Sequence, residues 1–311
     1  MRKVQLISTS LEDALRDTKK IYLGNWCKNA DYLIKDETVA TYHWDNRIKL
    51  ESDNQYLNSL YEKILSNLTL NLNKIHNKNY SKNFWRISAG YWLFCYLSSV
   101  FDRWENITSA LNQFKDINLY KSFSVNRFPV ARTTREFMNL TTDKKWNHLI
   151  YSKIISFIKE KKKLKIEIIK DQMKDDEFYY NFKSSKLHNF KKILIEFYLK
   201  LFSFSIKKNE IIFFKTYLGL KNEILLNLSF RQLPFFIRYK EFNQKINHKD
   251  RKKYKLNFST DNLFEEFILE NFSLNIPSEF LEDFLNIEKF ILNSNLPKNP
   301  KIIFSVRSLA N

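Results

Sequence analysis

The sequence predicts a helix-rich α/β fold, and three observations carry that expectation. Two short apolar runs near the amino terminus, Val4 to Ser8 and Ile21 to Leu23, end in small or polar residues, as the strands of an open sheet do. Long stretches with apolar residues three and four apart follow them, which is the period of amphipathic helices. Only three glycines and five prolines occur in 311 residues, against average usage of about 7% and 5%, so few tight turns interrupt the helices. A chain of this length makes one large or two ordinary domains. With 44% hydrophobic and 16% aromatic residues it fills a core, which excludes a disordered chain.

Taken in order, Val4 to Ser8 reads as a strand, Ser-Thr-Ser as a turn, and Leu11 to Leu15 as the start of a helix. Ile21 to Leu23 reads as a second strand that delivers Gly24 and Trp26 to its carboxyl end, the end at which open α/β sheets hold ligands. A third strand is expected over Val39 to His43. Asp53 to His76 carries Leu57, Leu60, Ile64, Leu65, Leu68 and Leu72 at helical spacing. Ser81 is placed to cap a second long helix running to about Leu111, apolar on nearly all sides from Ile87 to Phe101 and therefore expected at the centre. Beyond it come a strand at Leu119 to Val125, a helix at Trp146 to Glu160, a half-buried strand at Leu164 to Ile169, a helix at Phe190 to Phe204 and a strand at Ile211 to Phe214. The charged stretch after Pro234, to about Asn257, reads as a surface excursion, and Leu263 to Glu270 and Ser278 to Phe290 as short helices. Leu296-Pro297-Lys298-Asn299-Pro300 reads as a linker. Lys301 to Val306 then looks like the buried first strand of a new domain with nothing in the chain to pair against.

The formal charge is +18. A polyanion partner is one reading of it. The plainer reading is composition, because lysines are scattered apart from Glu160 to Lys163 and Asp250 to Lys253, and arginine, the better phosphate fork, is scarce beside them. Two cysteines, Cys27 and Cys95, make no disulfide framework and fit a reducing cytoplasm. No signal-peptide pattern follows Met1, and the most apolar windows, Ile87 to Val100 and Ile193 to Ile206, are shorter than the roughly 20 residues of a membrane span. That leaves room only for a peripheral contact with the inner face of the membrane. P-loop, dinucleotide and zinc-site motifs are all missing, so no cofactor and no metal are called for.

One stretch stands apart. From Leu23 to Glu105 lie five of the six tryptophans, both cysteines and two of the five histidines. Trp26 and Trp44 are candidates to stack on sugar faces, while Trp85 and Trp92, seven apart on one helix face, are expected in the core. His43 and Asp45 pair a base with a carboxylate at spacing two, which on a strand puts both on one side, an arrangement suited to proton removal from a hydroxyl. Arg47, Arg86, Asp102, Arg103 and Glu105 complete the candidate binding set. Arg103 serves either as a two-pronged anion ligand or as part of a buried ion network bracing helices. His76 is read as a helix C-terminal dipole partner, and Cys27 finds no further motif that would make it a nucleophile.

The ordered set Leu23 to Cys27, Tyr42 to Arg47, Asp53 with Tyr56-Leu57 and Leu60-Tyr61, Leu72-Asn73 with Ile75-His76, Tyr80-Ser81 with Trp85 to Ile87, Gly90 with Trp92-Leu93, and Phe101 to Glu105 resembles the transferases of bacterial O-antigen and surface-carbohydrate gene clusters. The match is dense over residues 4 to 111 and thin afterwards, with Arg231 to Pro234 and Pro297 to Phe304 as later landmarks. The resemblance implies a two-domain transferase of the GT-B type, with a Rossmann-like amino-terminal half that holds the acceptor and a carboxyl-terminal half that grips a nucleotide-activated sugar or similar donor. On that reading residues 1–296 are the acceptor-side domain, and 297–311 are the linker and first strand of a truncated second domain. The expected role is cytoplasmic transfer to a carbohydrate or lipid-linked acceptor in lipopolysaccharide or related surface-polysaccharide synthesis, with nucleic acid disfavoured as a partner. The competing readings are a non-catalytic basic module that binds nucleic acid or anionic membrane, and the inactive remnant of a broken gene.

Overall fold

The computed structural model describes residues 3–12, 15–28, 38–172, 197–214, 216–234, 242, 246–251, 253–294, 296–297 and 299–305. Five short strands, β1 (Val4–Ile7), β2 (Lys19–Tyr22), β3 (Thr38–Val39), β4 (Leu119–Ser124) and β5 (Glu167–Gln172), form one sheet in the order β3-β2-β1-β4-β5. Every neighbouring pair is parallel, with Leu6 opposite Ile21 and Tyr120 opposite Ile168. This is a Rossmann-like α/β arrangement, as the alternation of apolar runs and helical stretches leads one to expect. The chain builds outward from β1 through β2 and β3, then crosses back to place β4 on the other side of β1. The topological switch therefore lies between β1 and β4.

That crossover is made by two long helices, α1 (Arg47–His76) and α2 (Lys82–Gln113), which pack on each other. Local chemistry sets their ends. The Asn46 side chain accepts from the amides of Ile48 and Lys49, Asn77 closes α1 in a left-handed conformation (φ 51°), and Ser81 accepts from the amide of Phe84. The α1 core face is Leu57, Leu60, Ile64, Leu65, Leu68 and Leu72. On α2, Trp85, Trp92, Tyr96 and Trp104 are buried, with Trp92 stacked on Tyr96 and edge-on to Phe137 and Phe272. The helix is not buried on all sides, since Ile87 is 72% and Phe94 50% exposed, so it buries one broad face and not its whole girth. Two further helices, α3 (Thr134–Thr142) and α4 (Lys144–Lys162), cover α2 from the other side, and α4 also lies on β4. The strand expected at Leu164 to Ile169 sits three residues later, because Lys163 in a left-handed cap ends α4 first. Of the helix expected at Leu11 to Leu15, residues 9–12 make turns, Leu15 is irregular, and Asp13 and Ala14 lie outside the described residues.

The chain divides into two units, residues 1–179 with 246–281, and 180–245 with 282–311. The first also holds α5 (Leu263–Asn275). There Arg251, from the charged stretch read as a surface excursion, is fully buried and donates from Nη1 to the carbonyls of Ser273 (3.0 Å) and Ile276 (2.6 Å), at the end of α5. A guanidinium is well suited to that place, where several helix carbonyls lack partners.

In the second unit, β6 (Ile211–Phe214) pairs in parallel with β7 (Ile302–Ser305), Ile211 opposite Ile302. The strand after the double-proline passage is thus present, but it has a partner. Nor is it buried: Ile302, Ile303 and Phe304 are about half exposed, as the faces of a two-stranded ribbon are left uncovered. Helices Leu220–Ser229 and Phe284–Leu292 belong to the same unit, the first entered through Gly219 at φ 78°. Ser278 to Phe280, in the first unit, is a separate 3-10 turn, so the helix expected over Ser278 to Phe290 is split. Residues 190–196 of the expected Phe190 to Phe204 helix, and Val306 to Asn311, lie outside the described residues.

Candidate functional site

Two polar clusters are buried at the carboxyl edge of the five-stranded sheet, each centred on a histidine. The first grows from the segment after β3. Its strand ends at Val39, and residues 43–45 form a 3-10 turn instead of continuing it. The turn breaks the side-to-side alternation of a strand, so His43 points inward while Asp45 is exposed. The expected His43 and Asp45 pairing is therefore replaced by another. The carboxylate that meets His43 comes from α2: Asp102 Oδ1 lies 3.3 Å from His43 Nε2 and accepts from the Tyr42 hydroxyl at 2.7 Å. Its other oxygen accepts from Arg103 Nη1 at 2.9 Å and Asn106 Nδ2 at 3.3 Å.

Burial opposes the charge on Asp102, but His43, Arg103 and Tyr42 together outweigh it and hold its carboxyl below the ordinary range. An ionised carboxylate only accepts, so His43 Nε2 carries the proton of this contact. Tyr42 shifts the other way, its hydroxyl raised first by burial and then by Asp102. Arg103 is fully engaged as a brace: Nε donates to Asn147 Oδ1 (2.9 Å) and Nη2 to the carbonyl of Thr141 (3.1 Å).

Beside this network, Trp44 donates from its indole to Asp53 Oδ2 at 2.9 Å. Lys49, one turn earlier on α1, bridges Asp53 (2.7 Å) and Glu105 (2.8 Å). Burial lowers the lysine's proton affinity, and the two carboxylates more than restore it, so its pKa is raised. Trp26 is 47% exposed and meets Tyr42 edge-on at 6.2 Å; Tyr42 in turn meets Trp44 edge-on at 6.1 Å. The Trp26 ring folds back over Gly24, where a Cβ would lie 2.1 Å from the indole. Arg47 is exposed at the start of α1.

The structure thus brings together Trp26, Tyr42, His43, Trp44, Asp102, Arg103 and Glu105, with Asp45 and Arg47 on the exposed side of the same segment. It does not bring Arg86 there. Arg86 lies sixteen residues before Asp102 on α2, about 24 Å at the helical rise, and forms a two-pronged pair with Glu62 of α1, Nη2 to Oε2 at 2.9 Å. His76 ends α1, where it bonds the carbonyl of Phe280 at 2.9 Å. Burial pushes the Cys27 thiol up to about 12, so it is not a ready nucleophile.

The second cluster escaped the sequence reading. His148, from α4, is fully buried; Nδ1 meets Thr9 Oγ1 at 2.9 Å and Nε2 the carbonyl of Lys121 at 3.1 Å. Glu12 Oε1 accepts from the amide and hydroxyl of Ser8 (2.7 and 2.6 Å) and lies 3.3 Å from His148. Tyr120 of β4 stacks on the imidazole at 5.9 Å and shares a hydrogen bond with Ser8. These residues straddle the switch between β1 and β4. A lone histidine in an apolar helix gives no warning of such a role, and only the strand order reveals it.

The chain matches the model of the LIC12162 family transferase over residues 4–311. It belongs to that family. The family is one of transferases, so the protein is a transferase, and the match extends through both units. No curated protein and no solved structure matches significantly. Among the described residues no helix is long and apolar enough to cross a membrane.

Proposed function

We propose that this member of the family is a glycosyltransferase-like enzyme of surface-carbohydrate synthesis, working at the cytoplasmic face of the membrane. It moves a sugar or similar group from a nucleotide-activated donor to a carbohydrate or lipid-linked acceptor. The observation that carries the reading is the exposed aromatic edge of the site. Trp26 and Tyr42 offer ring faces and edges of the kind that pack on pyranoses, next to an exposed carboxylate, Asp45, and an exposed guanidinium, Arg47, at the carboxyl edge of a parallel sheet.

Of the two residues expected to take the acceptor proton, Asp45 is the one that can reach it. His43, with 1% of its side chain exposed, holds the segment in place through Asp102. Arg47 is suited to a phosphate of the donor or of a lipid carrier. The GT-B resemblance assigns donor binding to a carboxyl-terminal half.

The test is genetic and chemical together. Inactivating the gene should alter the surface-glycan profile on gels and in mass spectra, and restoring the wild-type gene should reverse this. Asp45→Ala and Trp26→Ala, produced at normal levels, should fail to restore it. An unchanged profile in the inactivated strain would remove the proposal. Salt-sensitive retention on DNA or heparin would then favour the basic binding module.

A further inference from the structure

We infer that His43, Asp53 and Glu105 form a seat for a first-row divalent transition metal ion, which the Lys49 ammonium occupies when the ion is not bound. One donor atom from each of the three residues lies within 4.8 Å of the others. They come from three elements, the turn after β3, α1 and α2, and are brought together only by the packing of those elements.

A pair of carboxylates near a lysine would not by itself mark a metal site. The independent observation is the imidazole. His43 Nδ1 is buried and has no hydrogen-bond partner, an expensive state for a ring nitrogen. Its Nε2 faces the Asp102 carboxyl group at 3.3 Å. This carboxylate on the far nitrogen is the arrangement that metal-bound histidines almost always have, because it fixes the tautomer and turns the other nitrogen's lone pair toward the ion. The carboxylates are steadied in the same way, with the Trp44 indole N–H on Asp53 Oδ2.

Charge supports exchange. Two carboxylates against one ammonium leave the seat with one negative charge in excess, whereas a divalent ion balances it. Lys49 has 33% of its side chain exposed, so its ammonium can swing to water on a flexible stem. Ligand atoms that share one ion at about 2.1 Å sit roughly 3.0–3.4 Å apart, so the three must close by no more than about 2 Å. One nitrogen with two carboxylates suits Mn²⁺, Fe²⁺, Co²⁺ or Zn²⁺ better than Mg²⁺ or Ca²⁺, which prefer all-oxygen shells. No sequence motif announces the set, since its members stand ten and fifty-two residues apart. The inference does not depend on the identity of the acceptor.

The experiment is a titration of the full chain, first stripped with chelator, with Co²⁺ followed by visible absorption and Mn²⁺ by electron paramagnetic resonance. One equivalent should bind. Asp53→Asn should abolish binding, and His43→Gln should shift the Co²⁺ bands as a nitrogen ligand is lost. Lys49→Met should tighten binding by about tenfold or more, because the competing cation is gone. A gain of stoichiometric binding in a variant that keeps a native circular dichroism spectrum does not come from misfolding, so this variant guards against a destabilised knockout. The inference fails if the wild type, with a native circular dichroism spectrum, takes up neither ion stoichiometrically. It fails equally if only Lys49→Met binds, or if binding is indifferent to Asp53→Asn and His43→Gln.

Discussion

His43 and His148 occupy the same edge of the same sheet, and both are buried, yet they are built differently. His148 has both nitrogens engaged, by Thr9 and by the Lys121 carbonyl, and its neighbours Glu12 and Tyr120 come from the loop after β1 and from β4. His43 has Nε2 on Asp102 and a bare Nδ1, and beside it lie aromatic and charged residues that reach the surface. A saturated imidazole holds two strands and a helix together, while an unsaturated one keeps a lone pair for something else. Burial alone does not distinguish the two; the partners of each nitrogen do.

The largest effect is expected at His148. His148→Ala takes the imidazole away from Thr9 Oγ1 and the Lys121 carbonyl and opens a cavity in a site closed to water, and should cost about 3–5 kcal/mol in urea unfolding. A cost under about 1 kcal/mol would mean that the saturated cluster is not structural. Asp102→Ala comes next, at about 2–4 kcal/mol, since the Tyr42 hydroxyl, His43 Nε2 and one nitrogen of Arg103 lose their acceptor. The carboxyl of Asp102 is held below its ordinary value in the folded protein. Its contribution should therefore be complete above the ordinary carboxylate range and fade as the pH falls through the lower folded-state value, a dependence that thermal melts of wild type and Asp102→Asn at stepped pH would show.

His43→Ala should cost less, about 1–2 kcal/mol, because only one nitrogen is bonded. If it destabilises as much as His148→Ala, the distinction between the two sites disappears. The smallest effect is expected far from both. Glu62, drawn down to about 2 by Arg86 and Lys82, is half exposed, so Glu62→Gln should cost no more than about 1 kcal/mol after solvent screening. That contribution is present above the ordinary 4.5 and is lost as the pH drops through about 2.

Much of this architecture was legible because it depends on local pattern. The three-and-four spacing of Leu57 to Leu72, the Ser81 cap and the apolar runs at β1, β2, β6 and β7 each state their own structure. The clustering of Trp26, His43, Trp44, Asp102 and Glu105 in one stretch also located the first site. What escaped is what depends on distance in the chain. The partner of His43 is fifty-nine residues away and not two, because the strand stops at Val39 and residues 43–45 turn as a 3-10 helix, where alternation does not apply. His148 and Glu12 meet across 136 residues, at a crossing set by strand order alone. Arg251 looked like part of a solvated run, since nothing local shows that a helix end elsewhere lacks partners for its carbonyls.

Gly24 offers a lever on the exposed site that deleting a ring does not. Its Cα supports the Trp26 indole so closely that a methyl group there would act as a wedge, swinging the ring outward on a side chain with room to move. Gly24→Ala keeps the indole but changes its bearing, whereas Trp26→Ala removes it. Comparing the two separates what the site needs in orientation from what it needs in apolar surface, and so tells a shaped binding face from a merely sticky one.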